Sequence, residues 1–151
     1  MIRGENLHFS YGDRAVLQGV DFSVEAGSFV GIIGPNGSGK STLIKILAGI
    51  LKPTMGSVTI QDADIADLSR KQIAARIAVV PQQVTFHFPF KVFDFVMMGR
   101  HPYQSMIPFE SAQDVRAVEE AMEGTGTAAF RDRSILQLSG GEKQRVILAS
   151  A

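Results

Sequence analysis

The sequence predicts an α/β fold with an antiparallel β part at its N-terminus and a helical insertion in its second half. Two observations lead to this prediction. Strand-like apolar patterns alternate with loops through residues 7–80, whereas residues 83–134 show mainly helical spacing and capping signals. One continuous apolar run is followed by a glycine-rich loop and then by a helical pattern, as in the first half of a β-α-β unit.

The N-terminal third is expected to contain three strands and one helix. Apolar side chains occupy every second position of residues 7–11 and 20–24, which is typical of half-buried strands. Residues 29–33 are apolar throughout and are expected to form a strand buried on both faces. Residues 42–48 then have helical spacing, and Gly49 is a suitable residue to end that helix.

The next segment is expected to alternate strand and helix again. Residues 57–60 form a short expected strand. Ser69 and Gln72 have the spacing of a capping box, so a helix is expected to run from there towards Arg76. Residues 77–80 are a second apolar run and are expected to form another buried strand.

The patterns divide the chain into three parts. Residues 1–82 carry the α/β core, and residues 83–134 form a helical subdomain in which Ser111 and Asp114 cap a helix. Residues 135–151 contain a second glycine motif and the start of the helix that follows it.

The composition is that of an ordinary globular domain. The 151 residues suffice to bury a substantial core, and 15 basic residues balance 15 acidic ones. This balance leaves no global basic field, so no nucleic-acid partner is expected. The absence of cysteine excludes disulfides and thiolate metal sites. His8, His87 and His101 lack metal-ligand spacing, so no zinc site is expected.

The strongest functional signal is a loop that fits the phosphate-binding pattern G-x-x-x-x-G-K-[ST]. The loop consists of Gly34, Pro35, Asn36, Gly37, Ser38, Gly39, Lys40 and Ser41, with Thr42 directly after it. Its glycines allow a tight turn whose N–H groups point at phosphate oxygens, and the following helix presents its positive end to the same anion. Lys40 is suited to neutralise phosphate charge, and the Ser41 hydroxyl is suited to ligate Mg²⁺. A bound nucleotide is therefore expected.

A second glycine motif lies about a hundred residues downstream. It consists of Leu138, Ser139, Gly140, Gly141, Glu142, Lys143, Gln144 and Arg145. Ser139 and Glu142 have capping-box spacing, which alone indicates only the start of a helix. A serine and two glycines at a helix N-terminus also offer an anion site. Since one phosphate loop does not need two such sites, the second is expected to close on a nucleotide held by another subunit.

Together the two motifs resemble those of the nucleotide-binding subunit of an ABC transporter, over essentially the whole chain. The resemblance implies a P-loop NTPase core of the ABC type that binds ATP and Mg²⁺. It also implies a head-to-tail homodimer in which Ser139, Gly140 and Gly141 contact the γ-phosphate of ATP on the opposite subunit. The implied partners are transmembrane permease subunits and, indirectly, a periplasmic or extracellular solute-binding protein. The implied location is the cytoplasmic face of the membrane.

Two single residues gain a role from this resemblance. Tyr11 corresponds to the aromatic residue that stacks on adenine, and Gln82 to the Q-loop glutamine that completes the Mg²⁺ shell; Gln83 is the alternative. Five phenylalanines within residues 86–95 are expected mainly to pack in the core, and some to line a groove for the membrane partner. Residues 96–103 are similar to the corresponding segment in importers of iron chelates, haem and cobalamin.

The chain departs from the family pattern in the placement of its acidic residues. After Lys40 no Asp or Glu follows four apolar residues, and the nearest candidates, Asp62 and Asp94, do not fit the strand-end acid that phosphoryl transfer requires. Residues 144–151 are helix-forming without a capping glycine or proline. We therefore expect the N-terminal part of a longer protein, with negligible ATP turnover by this chain alone.

Four functions compete at this stage. The first is the ATPase subunit of an importer for an iron complex, haem or cobalamin. A soluble ABC protein of DNA repair or translation is less favoured, because the segment between Gln82 and Leu138 is short. A module that binds nucleotide without turnover remains a third reading. A P-loop kinase is the most distant, because the second motif would then be a coincidence.

Overall fold

A computed structural model describes residues 1–82, 84–104 and 111–151. These fall into two compact units, Met1–Ile77 and Ala78–Ala151. The first unit combines an antiparallel sheet with helices, and the second is helical. The sequence-based boundaries at residues 82 and 134 stay predictions, and Gln83 lies outside the described residues.

The first unit is built on an antiparallel sheet with the strand order β2-β1-β3-β4. The strands are β1 (Ile2–Tyr11), β2 (Arg14–Val24), β3 (Met55–Ile60) and β4 (Ala63–Asp64). The expected strands at residues 7–11, 20–24 and 57–60 are confirmed, and each lies within a longer observed strand. A turn of only two residues joins β1 to β2, so Tyr11 pairs directly with Arg14.

Helix α1 (Lys40–Leu47) packs against this sheet and completes the core of the first unit. The buried side chains come from three strands and the helix: Leu7, Leu17, Leu43, Ile46, Leu47 and Val58. Full burial of such a side chain contributes about 1.5–3 kcal/mol. Gly49 follows the helix with φ of 69°, a left-handed conformation that glycine adopts without strain, as the sequence predicted. The core therefore fixes the position of α1 on the sheet.

Helix α2 (Arg70–Ala74) begins at the predicted capping box. The Ser69 side chain accepts a hydrogen bond from the Gln72 amide, and Gln72 Oε1 accepts from the Ser69 amide at 2.8 Å. The helix ends at Ala74, before the expected Arg76. A short 3₁₀ turn, Ile65–Asp67, precedes it.

Two strand predictions are wrong. Residues 29–33 are not in a strand, and Phe29 and Ile33 are fully or almost fully exposed. Residues 77–80 are likewise irregular, with Val79 and Val80 exposed. An apolar run becomes a buried strand only when neighbouring strands take its backbone hydrogen bonds. No strand in the described part of the chain pairs with either segment.

In the described residues of the second unit, three helices pack around one core. They are α3 (Val92–Met98), α4 (Ala112–Gly124) and α5 (Gly140–Ala149), with 3₁₀ turns at His101–Tyr103, Ala128–Phe130 and Ile135–Gln137. The core consists of Val92, Val96, Met97, Val118, Met122, Ile135, Leu138, Val146 and Ala149. None of the helices in the described ranges has the length and apolar character needed to cross a bilayer.

Two predictions for the second unit have clear outcomes. The capping box of Ser111 and Asp114 at the start of α4 is confirmed. The phenylalanines divide into two groups. Phe86, Phe93 and Phe95 pack against the core, as predicted for most of them. Phe88 and Phe90 are exposed and contact each other edge to face.

Candidate nucleotide site

The glycine-rich loop is held in place by the strand beneath it. Gly39 has φ of 90° and stands directly before α1. A Cβ on Gly39 would lie 2.9 Å from Leu17 Cδ2 and 3.2 Å from the Val16 carbonyl oxygen. Both the left-handed backbone and this close approach require glycine. The loop therefore contacts β2 at Gly39, directly before the start of α1.

The start of α1 offers open hydrogen-bond donors. No side chain caps the helix, and its first turn carries no acidic residue. The backbone amides of Gly37, Gly39, Lys40 and Ser41 donate to no acceptor among the described residues. The first amides of a helix lack intrahelical partners, and together with the helix dipole they favour an anion. The arrangement suits phosphate oxygens.

The Lys40 ammonium folds back onto the loop. Its Nζ donates to the carbonyl oxygens of Gly34 at 2.9 Å and Pro35 at 2.7 Å, and lies 3.5 Å from Ser38 Oγ. The third proton of the ammonium makes the long hydrogen bond to Ser38 Oγ, which is the weakest of the three and the one that a ligand can replace. Lys40 thus braces the loop and still carries a positive charge at it.

Tyr11 and Arg14 flank the hairpin turn between β1 and β2, and the Arg14 side chain reaches the loop. Tyr11 is about half exposed, and its ring meets Phe9 edge to face with centroids 4.9 Å apart. Its pairing partner Arg14 places Nη2 3.9 Å from the position that a Cβ on Gly37 would take. Arg14 is not among the site residues expected from the sequence, although a two-residue turn after Tyr11 implies that position 14 faces Tyr11.

The remaining expected site residues belong to the second unit. Gln82 is exposed, outside any helix or strand. Ser139 caps α5 through the predicted box, its side chain accepting from the Glu142 amide while Glu142 Oε2 accepts from the Ser139 amide at 2.7 Å. The structure thus places Arg14 beside the phosphate loop and Tyr11 opposite Arg14 in the first unit, and it describes Gln82 and Ser139 in the second.

The start of α5 has both open space and a fixed charge. A Cβ on Gly140 or Gly141 would meet no atom within 4 Å. Hydrogen bonds from the Ser139 side chain and amide lower the pKa of Glu142, so its carboxylate is charged at neutral pH. The two glycines therefore present an uncrowded backbone that another molecule can approach.

The metal chemistry of the site rests on few side chains. No group of three or more His, Asp or Glu gathers anywhere in the described ranges. Asp62 lies in the turn after β3, and Asp94 lies in the first turn of α3. The Ser41 hydroxyl is exposed at the start of α1 and has no protein partner among the described residues. Its oxygen is therefore available as a ligand, which fits a hard cation such as Mg²⁺.

Several curated proteins are similar to this chain over most of its length. A hemin import ATP-binding protein, HmuV of Thermobifida fusca, is 43% identical over 99% of this chain and 52% of its own length. The cobalamin import ATP-binding protein BtuD of Halobacterium salinarum is 43% identical over 90% of this chain and 34% of its own. The manganese transport system ATP-binding protein MntA of Synechocystis is 43% identical over 91% of this chain and 53% of its own length. The chain therefore spans between a third and about half of the length of these relatives.

Solved structures show the same fold. The ADP conformation of MJ1267, an ATP-binding cassette of an ABC transporter, matches 99% of this chain and 63% of its own, with a TM-score of 0.84 at 29% identity. The dimeric structure of MJ0796, a bacterial ABC transporter cassette, matches 99% of this chain and 68% of its own, with a TM-score of 0.79 at 29% identity. The sequence pattern of the ABC transporter family covers residues 17–151. This chain belongs to the ABC transporter family.

Proposed function

We propose that this chain is the nucleotide-binding part of an ATPase subunit that drives import of a small solute through a membrane permease. The observation that carries the proposal is the phosphate loop on β2, with open amides at the start of α1 and the Lys40 ammonium beside them. Such a site holds the phosphates of ATP by hydrogen bonds and charge. Relatives named for haem, cobalamin and manganese transport support a role in import.

The residues of the loop act by binding and positioning. The amides of Gly37, Gly39, Lys40 and Ser41 donate to phosphate oxygens, and Lys40 adds its third proton without releasing the loop carbonyls. Tyr11 stacks on the adenine. These contacts align the phosphates for attack by water. The charge that develops on the γ-phosphate is stabilised by donors already in place.

A bound Mg²⁺ neutralises part of the phosphate charge. We propose the Ser41 hydroxyl as its ligand from the loop and Gln82 as its second protein ligand. Because no Asp or Glu after Lys40 follows four apolar residues, as the strand-end acid of phosphoryl transfer would, we expect negligible ATP turnover by this chain alone.

The partners and the solute follow from the same proposal. Two subunits close head to tail, with Ser139, Gly140 and Gly141 reaching the ATP of the opposite loop. The dimer works on permease subunits at the cytoplasmic face of the membrane, and a solute-binding protein delivers the solute. An iron chelate, haem or cobalamin is the solute class that we favour. Co-purification with a permease separates this role from that of a soluble ABC protein.

Thermal unfolding with and without MgATP tests the core of the proposal. At a hundredfold excess over the dissociation constant, MgATP should raise the free energy of unfolding by about 2.7 kcal/mol. Lys40→Ala should abolish this gain, because the loop then loses both its brace and its charge. A matched Lys45→Ala variant, on an exposed part of the same helix, should keep the gain. A wild-type transition that MgATP does not shift would contradict nucleotide binding.

A further inference from the structure

The position of Arg14 beside the phosphate loop has no role in the function proposed above. Arg14 is the first residue of β2, directly after the two-residue turn, and its side chain is exposed. Its Nη2 atom stands 3.9 Å from where a Cβ on Gly37 would lie. Further along the same strand, Val16 and Leu17 approach Gly39. One strand therefore supports the loop and places a guanidinium at its middle.

The guanidinium has donors to spare. No carboxylate pairs with Arg14 among residues 1–82, 84–104 and 111–151, although Asp13 is its neighbour in sequence. A guanidinium carries five N–H donors in a planar fork that matches phosphate oxygens. The loop beside it exposes open amides, which attract the same kind of ligand. Positive charge and open donors thus converge on one side of Gly37.

We propose that Arg14 is a second cationic residue of the nucleotide site and donates to the phosphate chain of the bound nucleoside triphosphate. This inference rests on the proposed nucleotide binding. Lys40 braces the loop from within by holding the Gly34 and Pro35 carbonyls, whereas Arg14 reaches the loop from the neighbouring hairpin. Because Tyr11 is its pairing partner, the same turn carries the residue for the base and a residue for the phosphates.

Binding of MgATP and MgADP to the chain, measured by isothermal titration calorimetry, tests this inference. Hydrogen bonds to charged groups contribute strongly to binding, so Arg14→Gln should raise the dissociation constants of both MgATP and MgADP about tenfold or more. Arg14→Lys keeps the charge but loses the fork, so its loss should be smaller than that of Arg14→Gln. The loss should also shrink as salt rises, because screening weakens the contribution of an exposed charge.

Arg3→Gln is the matched control. Arg3 is an exposed arginine on β1 of the same sheet, 3.5 Å from Glu5, and its loss should leave both dissociation constants unchanged. Thermal unfolding without nucleotide shows whether each variant is folded. If Arg14→Gln does not fold, the test compares the dissociation constants of Arg14→Lys and wild type instead.

Two results would overturn the inference in distinguishable ways. In the first, wild type binds MgATP, Lys40→Ala does not, and both Arg14 variants bind within twofold of wild type. The role proposed for Arg14 is then wrong, and the proposed function stands. If wild type itself binds neither nucleotide, nucleotide binding fails and the role of Arg14 fails with it.

Discussion

Arg100 and Asp114 form a partly buried ion pair in the second unit, with 3.0 Å between Arg100 Nε and Asp114 Oδ1. The other carboxylate oxygen of Asp114 accepts from the Ser111 hydroxyl at 2.6 Å. The hydrogen bond from Ser111, followed by that from Arg100, lowers the pKa of Asp114. One carboxylate therefore caps α4 and ties that helix to the end of α3.

This geometry predicts a pH-dependent contribution to stability. A carboxyl whose pKa is lower in the folded chain stabilises the fold above its unfolded pKa of about 3.9. The contribution is lost as pH falls through the folded pKa. Asp114→Asn should therefore lower the unfolding midpoint at pH 7, and its difference from wild type should shrink towards pH 3.

Thermal unfolding at several pH values checks this expectation. Asp132→Asn is the control, because its carboxylate is 79% exposed and 3.9 Å from Lys91. Exposed pairs of this kind contribute little. An Asp114→Asn difference of the same size at pH 7 and pH 3 would count against a charge-based role.

Tyr11 should contribute to nucleotide affinity through its ring alone. Stacking of a base on an aromatic side chain is worth about 1–3 kcal/mol, so Tyr11→Ala should weaken MgATP binding about five- to a hundredfold. Tyr11→Phe keeps the ring and should bind within about twofold of wild type. Fluorescence competition with a labelled ATP analogue measures both variants. Equal losses for the two would mean that the hydroxyl, rather than stacking, acts on the nucleotide.

The proposed head-to-tail closure of two subunits predicts complementation between two inactive variants. Lys40→Ala removes nucleotide binding in its own loop. Gly140→Arg blocks the approach to the partner's loop, and because a Cβ at Gly140 meets open space, its own subunit should stay folded. Neither variant alone should dimerise with MgATP. Their mixture restores one complete site per pair and should dimerise.

Analytical ultracentrifugation of each variant and of the mixture reads out this prediction. The control mixture uses Gly124→Arg, at the exposed end of α4, in place of Gly140→Arg. This control subunit should form MgATP-dependent dimers by itself. Failure of the Lys40→Ala and Gly140→Arg mixture to dimerise, while wild type does so, would exclude a composite site.

The starts of α2, α4 and α5 were predictable from sequence because their signals are local. Ser69, Ser111 and Ser139 each exchange hydrogen bonds with the residue three positions later, and all three boxes form. The phosphate loop was predictable for the same reason, since its motif spans consecutive residues. These features depend on neighbours in sequence and need no knowledge of distant contacts.

The errors concern features that depend on distant residues. Residues 29–33 and 77–80 have the composition of buried strands, but burial also needs pairing partners, which the described chain does not supply. Arg14 was missed because its proximity to Gly37 arises from the packing of β2 under the loop. Local composition states what a segment can become, and tertiary contacts decide whether it does so.

The two-residue turn between β1 and β2 determines which residues pair across it, next to the proposed nucleotide site. Paired residues on neighbouring strands face one another across about 5 Å, so the turn determines which residue stands opposite Tyr11. One inserted residue would change this pairing, so that a different residue would stand opposite Tyr11. The length of this turn is therefore part of the geometry of the proposed nucleotide site, together with the chemistry of the side chains that flank it.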